Sequence, residues 1–217
     1  MQATRRQLVL SAAAAAALPW AGAAHAQRRP DAGIDYKELP TPQPVEQAGK
    51  VEVLEFFWYG CPHCYAFLPA LTEWKKGLSP EVAYRRVPAQ FRPDWQQHAR
   101  LYFALLAVGE AERLHARAFD TIHRDRVYLA DEPQMLEWAV RNGVDRARFT
   151  DALRSDGVTA RMAQARRELD SYGIDGVPAM AVNGRFVTAP SIVGSHEGCL
   201  QVVTYLVSEE QRRQKRA

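Results

Sequence analysis

The chain has 217 residues, of which 47% are apolar and 24% charged, a composition typical of a folded globular protein. Its 28 basic and 25 acidic residues nearly balance, so its charge gives no reason to bind nucleic acid. No apolar stretch reaches the roughly 18–20 residues that a membrane-spanning helix needs, and we expect the mature protein to be soluble.

Residues 1–26 have the pattern of a cleaved signal peptide. Arg5 and Arg6 supply the positive charge, an alanine-rich apolar stretch follows, and Ala24-His25-Ala26 fits the small-x-small site of signal peptidase. The pattern predicts cleavage after Ala26 and export to an oxidising compartment, where disulfides persist. A helix of the folded domain is a weaker interpretation, because the segment lacks acidic residues and an amphipathic period. The sequence leaves open whether export follows the general or the twin-arginine route.

The mature chain begins with a proline-rich arm and then alternates between strand and helix patterns. The pair Asn183-Gly184 is the strongest short signal for a β-hairpin. The predicted order is strand 51–58, helix 61–76, strand 82–87, a helical block from about 93 to 170, hairpin strands 179–182 and 185–188, and a last helix starting near Ser195. This order predicts an α/β, thioredoxin-like fold over residues 27–217, with an inserted all-helical subdomain at about 93–170.

Two of the three cysteines stand in the motif Cys61-Pro62-His63-Cys64, at a predicted strand-to-helix junction. At the start of a helix, Cys61 faces unpaired backbone N–H groups and the positive end of the helix dipole, which lower the pKa of a thiol. We therefore expect Cys61 to be the nucleophile, with His63 favouring its thiolate, and Cys64 to be the resolving thiol. Cys199 falls on the apolar side of the last helix and is expected to be buried and inert.

Two other interpretations of the cysteine pair have less support. A structural disulfide usually closes a long loop, whereas a four-residue ring restricts the unfolded chain little. A zinc site needs four ligands, and the sequence has neither a second cysteine pair nor histidines at ligand spacing. The spacing and the export signal together favour redox chemistry.

Two segments resemble the DsbA family of periplasmic thiol oxidases: residues 55–65, which read EFFWYGCPHCY, and residues 176–179, which read GVPA. The likeness spans essentially the whole mature chain. It implies a monomer without cofactor or metal that oxidises reduced exported polypeptides in the periplasm. It also implies reoxidation by a quinone-linked membrane partner of the DsbB kind.

The same resemblance implies roles for individual residues. Cys61 matches the sulfur that attacks and is attacked, and Cys64 matches the resolving sulfur, while Pro62 and His63 between them tune the redox properties. Val177 and Pro178 match the loop whose cis-proline faces the disulfide and contacts substrate, and Glu55 matches the buried acid of the family.

Some positions depart from the family or leave a question open. Leu68 stands where some relatives have a glutamate, and Tyr59 and Gly60 replace a bulkier aromatic pair, which alters how substrates sit. Glu55 lies in an apolar strand, where a carboxylate must be hydrogen-bonded or protonated. A proton relay for Cys64 and a purely structural hydrogen bond are about equally favoured for it.

The remaining side chains are expected to be structural. Residues 56–58 are interpreted as core, and His98, His115 and His123 as residues on helix surfaces. Alternative functions are an isomerase or reductase on the same fold, or a metal-delivery protein with thiol ligands. The reduced form is predicted to be more stable than the oxidised form at pH 7, because a Cys61 pKa near 3.5, the value of the family archetype, outweighs the small disulfide ring. A pKa near 6 would reverse that order.

Overall fold

The computed structural model describes residues 28–216, so the predicted signal peptide lies outside the described residues. The helices and strands follow the predicted order, and their bounds are β1 (Lys37–Glu38), β2 (Val51–Phe57), α1 (Pro62–Lys76), β3 (Val82–Pro88), α2 (Pro93–Ala107), α3 (Ala111–His123), α4 (Glu132–Arg141), α5 (Arg146–Arg154), α6 (Asp156–Ser171), β4 (Ala179–Val182), β5 (Phe186–Thr188), α7 (Pro190–Val193) and α8 (His196–Gln214). Across residues 28–216, none of the helices combines the length and the apolar character required to cross a membrane.

The strands form one sheet in the order β1-β5-β4-β2-β3. β2 and β3 run parallel, whereas β4 pairs antiparallel with β2 and then turns into β5. All seven residues of β2 are buried, which explains its nearly continuous apolar pattern. In the turn between β4 and β5, Asn183 and Gly184 have φ values of 51° and 67°, the left-handed conformation that the Asn-Gly signal predicts.

Two apolar cores hold the sheet between its helices. In one core, Val51 and Val53 of β2 pack with side chains of α1 and α8. In the other, Leu54 and Phe56 of β2 pack with helices of the insertion, which lies between β3 and β4 in the chain. β2 is therefore buried on both faces, and its carboxyl end is held in place from two directions.

Phe57, the last residue of β2, fastens the helical insertion to the sheet. Its ring stands edge-on to those of Tyr59, Tyr102 and His115, with centroids 5.0–5.3 Å apart. The ring of Phe119 on α3 lies 6.1 Å away. Edge-to-face aromatic pairs are favourable beyond the area that they bury. This cluster adjoins the motif of residues 61–64, so the same aromatic packing holds both the helical insertion and the motif in position.

The sequence interpretation of the histidines as residues on helix surfaces was wrong. His98 and His115 are buried, with 1% and 2% of their surface exposed, and His123 is half-buried. His115 lies one turn from Ala111 and Phe119 on the apolar face of α3, so the helical period carries it inward despite its polar ring. Leu106 of α2, by contrast, is 40% exposed.

Replacing Phe57 with alanine should destabilise the protein by about 3–5 kcal/mol, because the aromatic cluster cannot close around the cavity that remains. Urea unfolding followed by circular dichroism measures this difference. The control is Leu106→Ala, which removes a side chain that is already partly in solvent and should change the unfolding free energy by less than about 1 kcal/mol. Equal losses in the two variants would contradict the role given to Phe57.

Candidate active site

A tight turn carries the chain from β2 into α1 and places Cys61 at the helix start. The backbone N–H of Cys61 donates to the carbonyl oxygen of Trp58 at 3.0 Å, which closes the turn over Tyr59 and Gly60. Cys61 is the N-cap of α1, and Pro62 occupies the first helical position, where its missing N–H leaves nothing unpaired. The backbone N–H of Cys64 donates to the Cys61 sulfur at 3.3 Å. The motif itself therefore begins the helix.

The surroundings of the Cys61 sulfur favour its thiolate. A hydrogen bond from the Cys64 thiol lowers the pKa of Cys61 most, burial opposes it, and the backbone N–H groups of Cys64 and His63 and the charge of His63 lower it further, to about 6. The sulfur also lies 3.4 Å from the carbonyl oxygen of Val177, where the thiol form donates a hydrogen bond. The peptide bond between Val177 and Pro178 is cis, as the resemblance implied.

Cys64 behaves in the opposite way. Burial raises its pKa well above the ordinary value, and its hydrogen bond to Cys61 and the negative charge there raise it further. Only 1% of Cys64 is exposed, against 6% of Cys61. The two sulfurs of the pair thus differ in charge and in access. Cys199 is fully buried, and burial raises its pKa to about 12, in agreement with the predicted inert thiol.

Glu55 lies buried on β2 within a network of polar side chains. The Arg86 guanidinium donates to its carboxylate at 3.1 Å, and the Tyr84 hydroxyl donates to the same oxygen. Arg86 stands directly opposite Glu55 in the β2–β3 register and also contacts Glu112 of α3. The hydrogen bonds of Glu55 thus go to side chains rather than to the nearby backbone. Its negative charge contributes to the raised pKa of Cys64.

Gly60 is required by the neighbouring tryptophan. The Trp58 indole folds back over Gly60 and stacks on Trp95 of α2, with centroids 3.9 Å apart and planes within 6°. A side chain at position 60 would overlap the Trp58 ring. The departure noted in the sequence therefore has a structural reason, since the Trp58 ring occupies the space beside Gly60.

A groove of about 710 Å³ runs along the cis-proline loop. It is open at the surface and combines apolar walls with a charged rim, and its lining includes His63, Ile174, Val177, Pro178, Pro190 and Ile192. Both His63 of the motif and the loop whose Val177 carbonyl contacts the Cys61 sulfur belong to this lining, so the groove adjoins the surroundings of that sulfur. In the chain from 28 to 216, no three side chains of His, Cys, Asp or Glu are grouped so that they could hold a metal ion.

The structure brings most of the predicted site residues together. Cys61, Cys64, His63 and the Val177–Pro178 loop meet at the start of α1, and Glu55 lies beneath them in the sheet. Sequence reasoning missed Arg86. The available signal was the parallel pairing of β2 with β3, which sets Arg86 opposite Glu55. It also missed the packing of Trp95 on Trp58, because nothing local to α2 indicates that contact.

Residues 79–197 match the family described as the DSBA-like thioredoxin domain, which covers more than half of the chain. The chain belongs to this family. It is 39% identical over 205 residues to the thiol:disulfide interchange protein DsbA of Burkholderia cepacia, covering 94% of this chain and 95% of that protein. It is 42% identical over 182 residues to DsbA of Azotobacter vinelandii, covering 84% of this chain and 85% of the relative.

Solved structures of the family agree with this assignment. The crystal structure of Pseudomonas aeruginosa DsbA is 36% identical and superposes with a TM-score of 0.81, covering 84% of this chain and 95% of that chain. The structure of the oxidoreductase DsbA from Xylella fastidiosa is 32% identical with a TM-score of 0.80, covering 85% and 100%. The predicted family and the predicted α/β, thioredoxin-like fold with a helical insertion are both confirmed.

Replacing Gly60 with alanine should push Trp58 off Trp95 and destabilise the protein by about 1–3 kcal/mol. Near-ultraviolet circular dichroism reports the tryptophan pair, and urea unfolding reports the stability. Gly157→Ala is the control, because Gly157 lies in α6 with its nearest neighbouring atom 3.9 Å from the added carbon. Alanine there should be neutral or stabilising. An unchanged tryptophan signal in Gly60→Ala would contradict this account of the turn.

The stability of the reduced form should depend on pH through Cys61. Its pKa falls from 9.0 to about 6 on folding, so the thiolate contributes fully above the unfolded value and the contribution disappears as pH falls through 6. At pH 7 it amounts to about 1.4 kcal/mol, less than the roughly 2 kcal/mol that a four-residue disulfide ring supplies to the oxidised form. The pKa of Cys61 is therefore not low enough to make the reduced form the more stable one at pH 7.

We expect the oxidised form to be the more stable at pH 6 and the reduced form at about pH 8.5, with the difference changing by about 1.4 kcal/mol per pH unit. Urea unfolding of both forms across this range measures the difference, in which groups unaffected by the redox state cancel. Cys199→Ala should give the same slope, since burial keeps the Cys199 thiol protonated. A difference that does not vary with pH would refute the assignment of a lowered pKa to Cys61.

Proposed function

We propose that this protein is a thiol:disulfide oxidoreductase that donates a Cys61–Cys64 disulfide to cysteines of other polypeptides. The observation that carries the proposal is the contrast between the two sulfurs. Cys61 has a lowered pKa at the edge of a groove, whereas Cys64 has a raised pKa and is buried. The family supports the same reaction, since its named relatives are thiol:disulfide interchange proteins.

The reaction has two exchange steps. A substrate thiolate attacks the Cys61 sulfur, the Cys61–Cys64 bond breaks, and Cys64 leaves and takes up a proton in keeping with its raised pKa. The second thiolate of the substrate then attacks the substrate sulfur of the mixed disulfide and expels Cys61. Because the pKa of Cys61 is lowered to about 6, it is the better leaving group of the two sulfurs at neutral pH. Two electrons pass from the substrate, which becomes a disulfide, to this protein, which becomes a dithiol.

The groove beside Cys61 is the proposed binding site for the substrate chain. Its apolar lining suits extended segments of unfolded polypeptides, whose apolar side chains are exposed. Val177 and Pro178 lie in that lining, and the carbonyl oxygen of Val177 contacts the reactive sulfur, so a segment bound along the loop presents its cysteine to Cys61. Binding by shape and apolar area rather than by sequence fits a protein that oxidises many different chains.

We place the reaction in the periplasm, in keeping with the signal-peptide pattern of residues 1–26. Each round of substrate oxidation converts this protein to its reduced form. A turnover cycle therefore needs an external acceptor for two electrons. The family resemblance implies that this acceptor is a quinone-linked membrane protein of the DsbB kind. It would have to approach Cys61 through the same small exposed part, 6% of the residue's surface, that substrates reach.

The division of labour between the cysteines gives a direct test. Cys64→Ala keeps Cys61 among the backbone N–H groups of the helix start but removes its resolving partner. It should accumulate mixed disulfides with a disulfide-bonded peptide, because the Cys61 thiolate attacks one sulfur of the peptide and the other leaves as a thiolate. Cys61→Ala should accumulate none. At pH 6 its remaining Cys64 thiol should be alkylated at least tenfold more slowly than the Cys61 thiol of Cys64→Ala, because burial keeps Cys64 protonated. Cys199→Ala should behave as the wild type.

The functional alternatives predict different results in the same assays. Wild-type oxidised protein should convert a reduced dithiol peptide to its disulfide. An isomerase would instead rearrange a peptide with mispaired disulfides faster than it oxidises a reduced one. A metal-delivery protein would be isolated with stoichiometric metal on its thiols. Equal alkylation rates for Cys61 and Cys64 at pH 6 would refute the proposed mechanism.

A further inference from the structure

Helix α3 holds the chain on both sides of the cysteine pair. Tyr59 stands two residues before Cys61, and Tyr65 stands one residue after Cys64. Both tyrosines bond to polar side chains of α3, namely His115, Asp120 and His123. Asp120 lies three residues before His123, and His115 lies about two turns before it, so adjoining faces of α3 meet both flanks of the motif.

Tyr59 is held at both of its polar groups. Its backbone carbonyl accepts a hydrogen bond from Nε2 of His123 at 2.8 Å, and its hydroxyl lies 3.1 Å from Nδ1 of His115. Burial raises the pKa of the Tyr59 phenol well above its ordinary value and keeps the pKa of His115 well below its own, so both groups are neutral. With the hydroxyl as donor, only the Nε2 proton of His115 stays unpaired; the reverse arrangement would leave two groups unpaired.

Tyr65 is held at the first turn of α1. Its hydroxyl donates to a carboxylate oxygen of Asp120 at 2.7 Å. Its ring stacks on the ring of His123, with centroids 4.8 Å apart and planes within 7°. His123 therefore contacts both flanks, through its N–H on Tyr59 and through its ring face on Tyr65.

We propose that His123 is a positioning residue, which holds the turn before Cys61 and the first turn of α1 in the relative placement that stabilises the Cys61 thiolate. This inference rests on the proposed function of Cys61. The amides that stabilise the thiolate belong to α1, whereas the sulfur belongs to Cys61, the residue that ends the turn. His123 hydrogen-bonds to the turn at Tyr59 and stacks on α1 at Tyr65, and these two contacts fix the distance between the sulfur and the amides. His115 and Asp120 complete the clamp at the two tyrosine hydroxyls.

The first variants test the hydrogen bond and its conservative replacement. His123→Leu removes the N–H donor and should weaken the acid dissociation of Cys61 about threefold to tenfold, the range expected when one hydrogen bond is lost. The equilibrium with glutathione should shift in the same sense, toward less reduced protein. His123→Gln keeps an N–H at a similar reach and should restore at least half of the change. Tyr59→Phe, which removes only the hydroxyl, should give a smaller shift in the same direction. The ultraviolet absorbance of the thiolate against pH measures Cys61 in each variant.

Thr121→Val is the matched control on the same helix. The Thr121 hydroxyl accepts a hydrogen bond from the Trp138 indole at 2.9 Å, on the side of α3 that faces α4. Its loss should lower the unfolding temperature without moving the Cys61 titration. The proposal is overturned if His123→Leu titrates like the wild type, or if Thr121→Val shifts Cys61 equally. Should His123→Leu fail to fold, an unshifted titration in Tyr59→Phe overturns it instead. Failure of the wild type to oxidise a dithiol peptide would defeat the proposed function, whereas an unshifted titration in an active protein defeats only the clamp.

Discussion

The first turn of an α-helix has backbone N–H groups that no carbonyl of the same helix can satisfy. In this protein the sulfur of Cys61 is placed where those groups point. The hydrogen bond from the Cys64 thiol lowers the pKa of Cys61 most, the backbone N–H groups lower it further, and no lysine or arginine is among the main causes. Stabilisation by fixed amides works only at short range and in one orientation. The buried strand β2, the turn closed by Trp58 and the proline at the first helical position all serve to hold that single atom in place.

The difference between the two thiols follows from a displacement of one helical turn. Cys64 lies deep enough to lose contact with water, and the negative charges of Cys61 and Glu55 act on it from nearby. Arg86 keeps the Glu55 carboxylate paired in the interior, where an isolated charge would be strongly unfavourable. A pair of chemically identical residues thus acquires opposite acid strengths through burial, through the hydrogen bond between them and through the order in which they enter the helix.

Local patterns were sufficient for much of this architecture. The apolar run of β2, the Asn-Gly turn and the helix that starts at the cysteine motif each depend on neighbours within a few residues, and sequence reasoning placed them correctly. The errors concern contacts between distant segments. His123 meets Tyr59 across 64 residues and His115 meets the same tyrosine across 56, and both histidines were interpreted as surface residues because a polar ring was assumed to face water. A buried polar side chain is predictable only when its partner is known, and here each partner lies on another element.

The separation along the chain between Cys61 and Val177, 116 residues, has a consequence for the nascent protein. Synthesis delivers the cysteine pair long before the loop and the groove that complete its surroundings. A short helix alone is barely stable in water, so the emerging pair behaves as two ordinary thiols. Cys199, the other possible pairing partner, is the last of the three cysteines to be synthesised and is buried within α8 in the folded protein. The small ring between Cys61 and Cys64 is the least costly loop to close in a flexible chain. The order of the cysteines along the chain therefore favours pairing of Cys61 with Cys64 over pairing of either with Cys199.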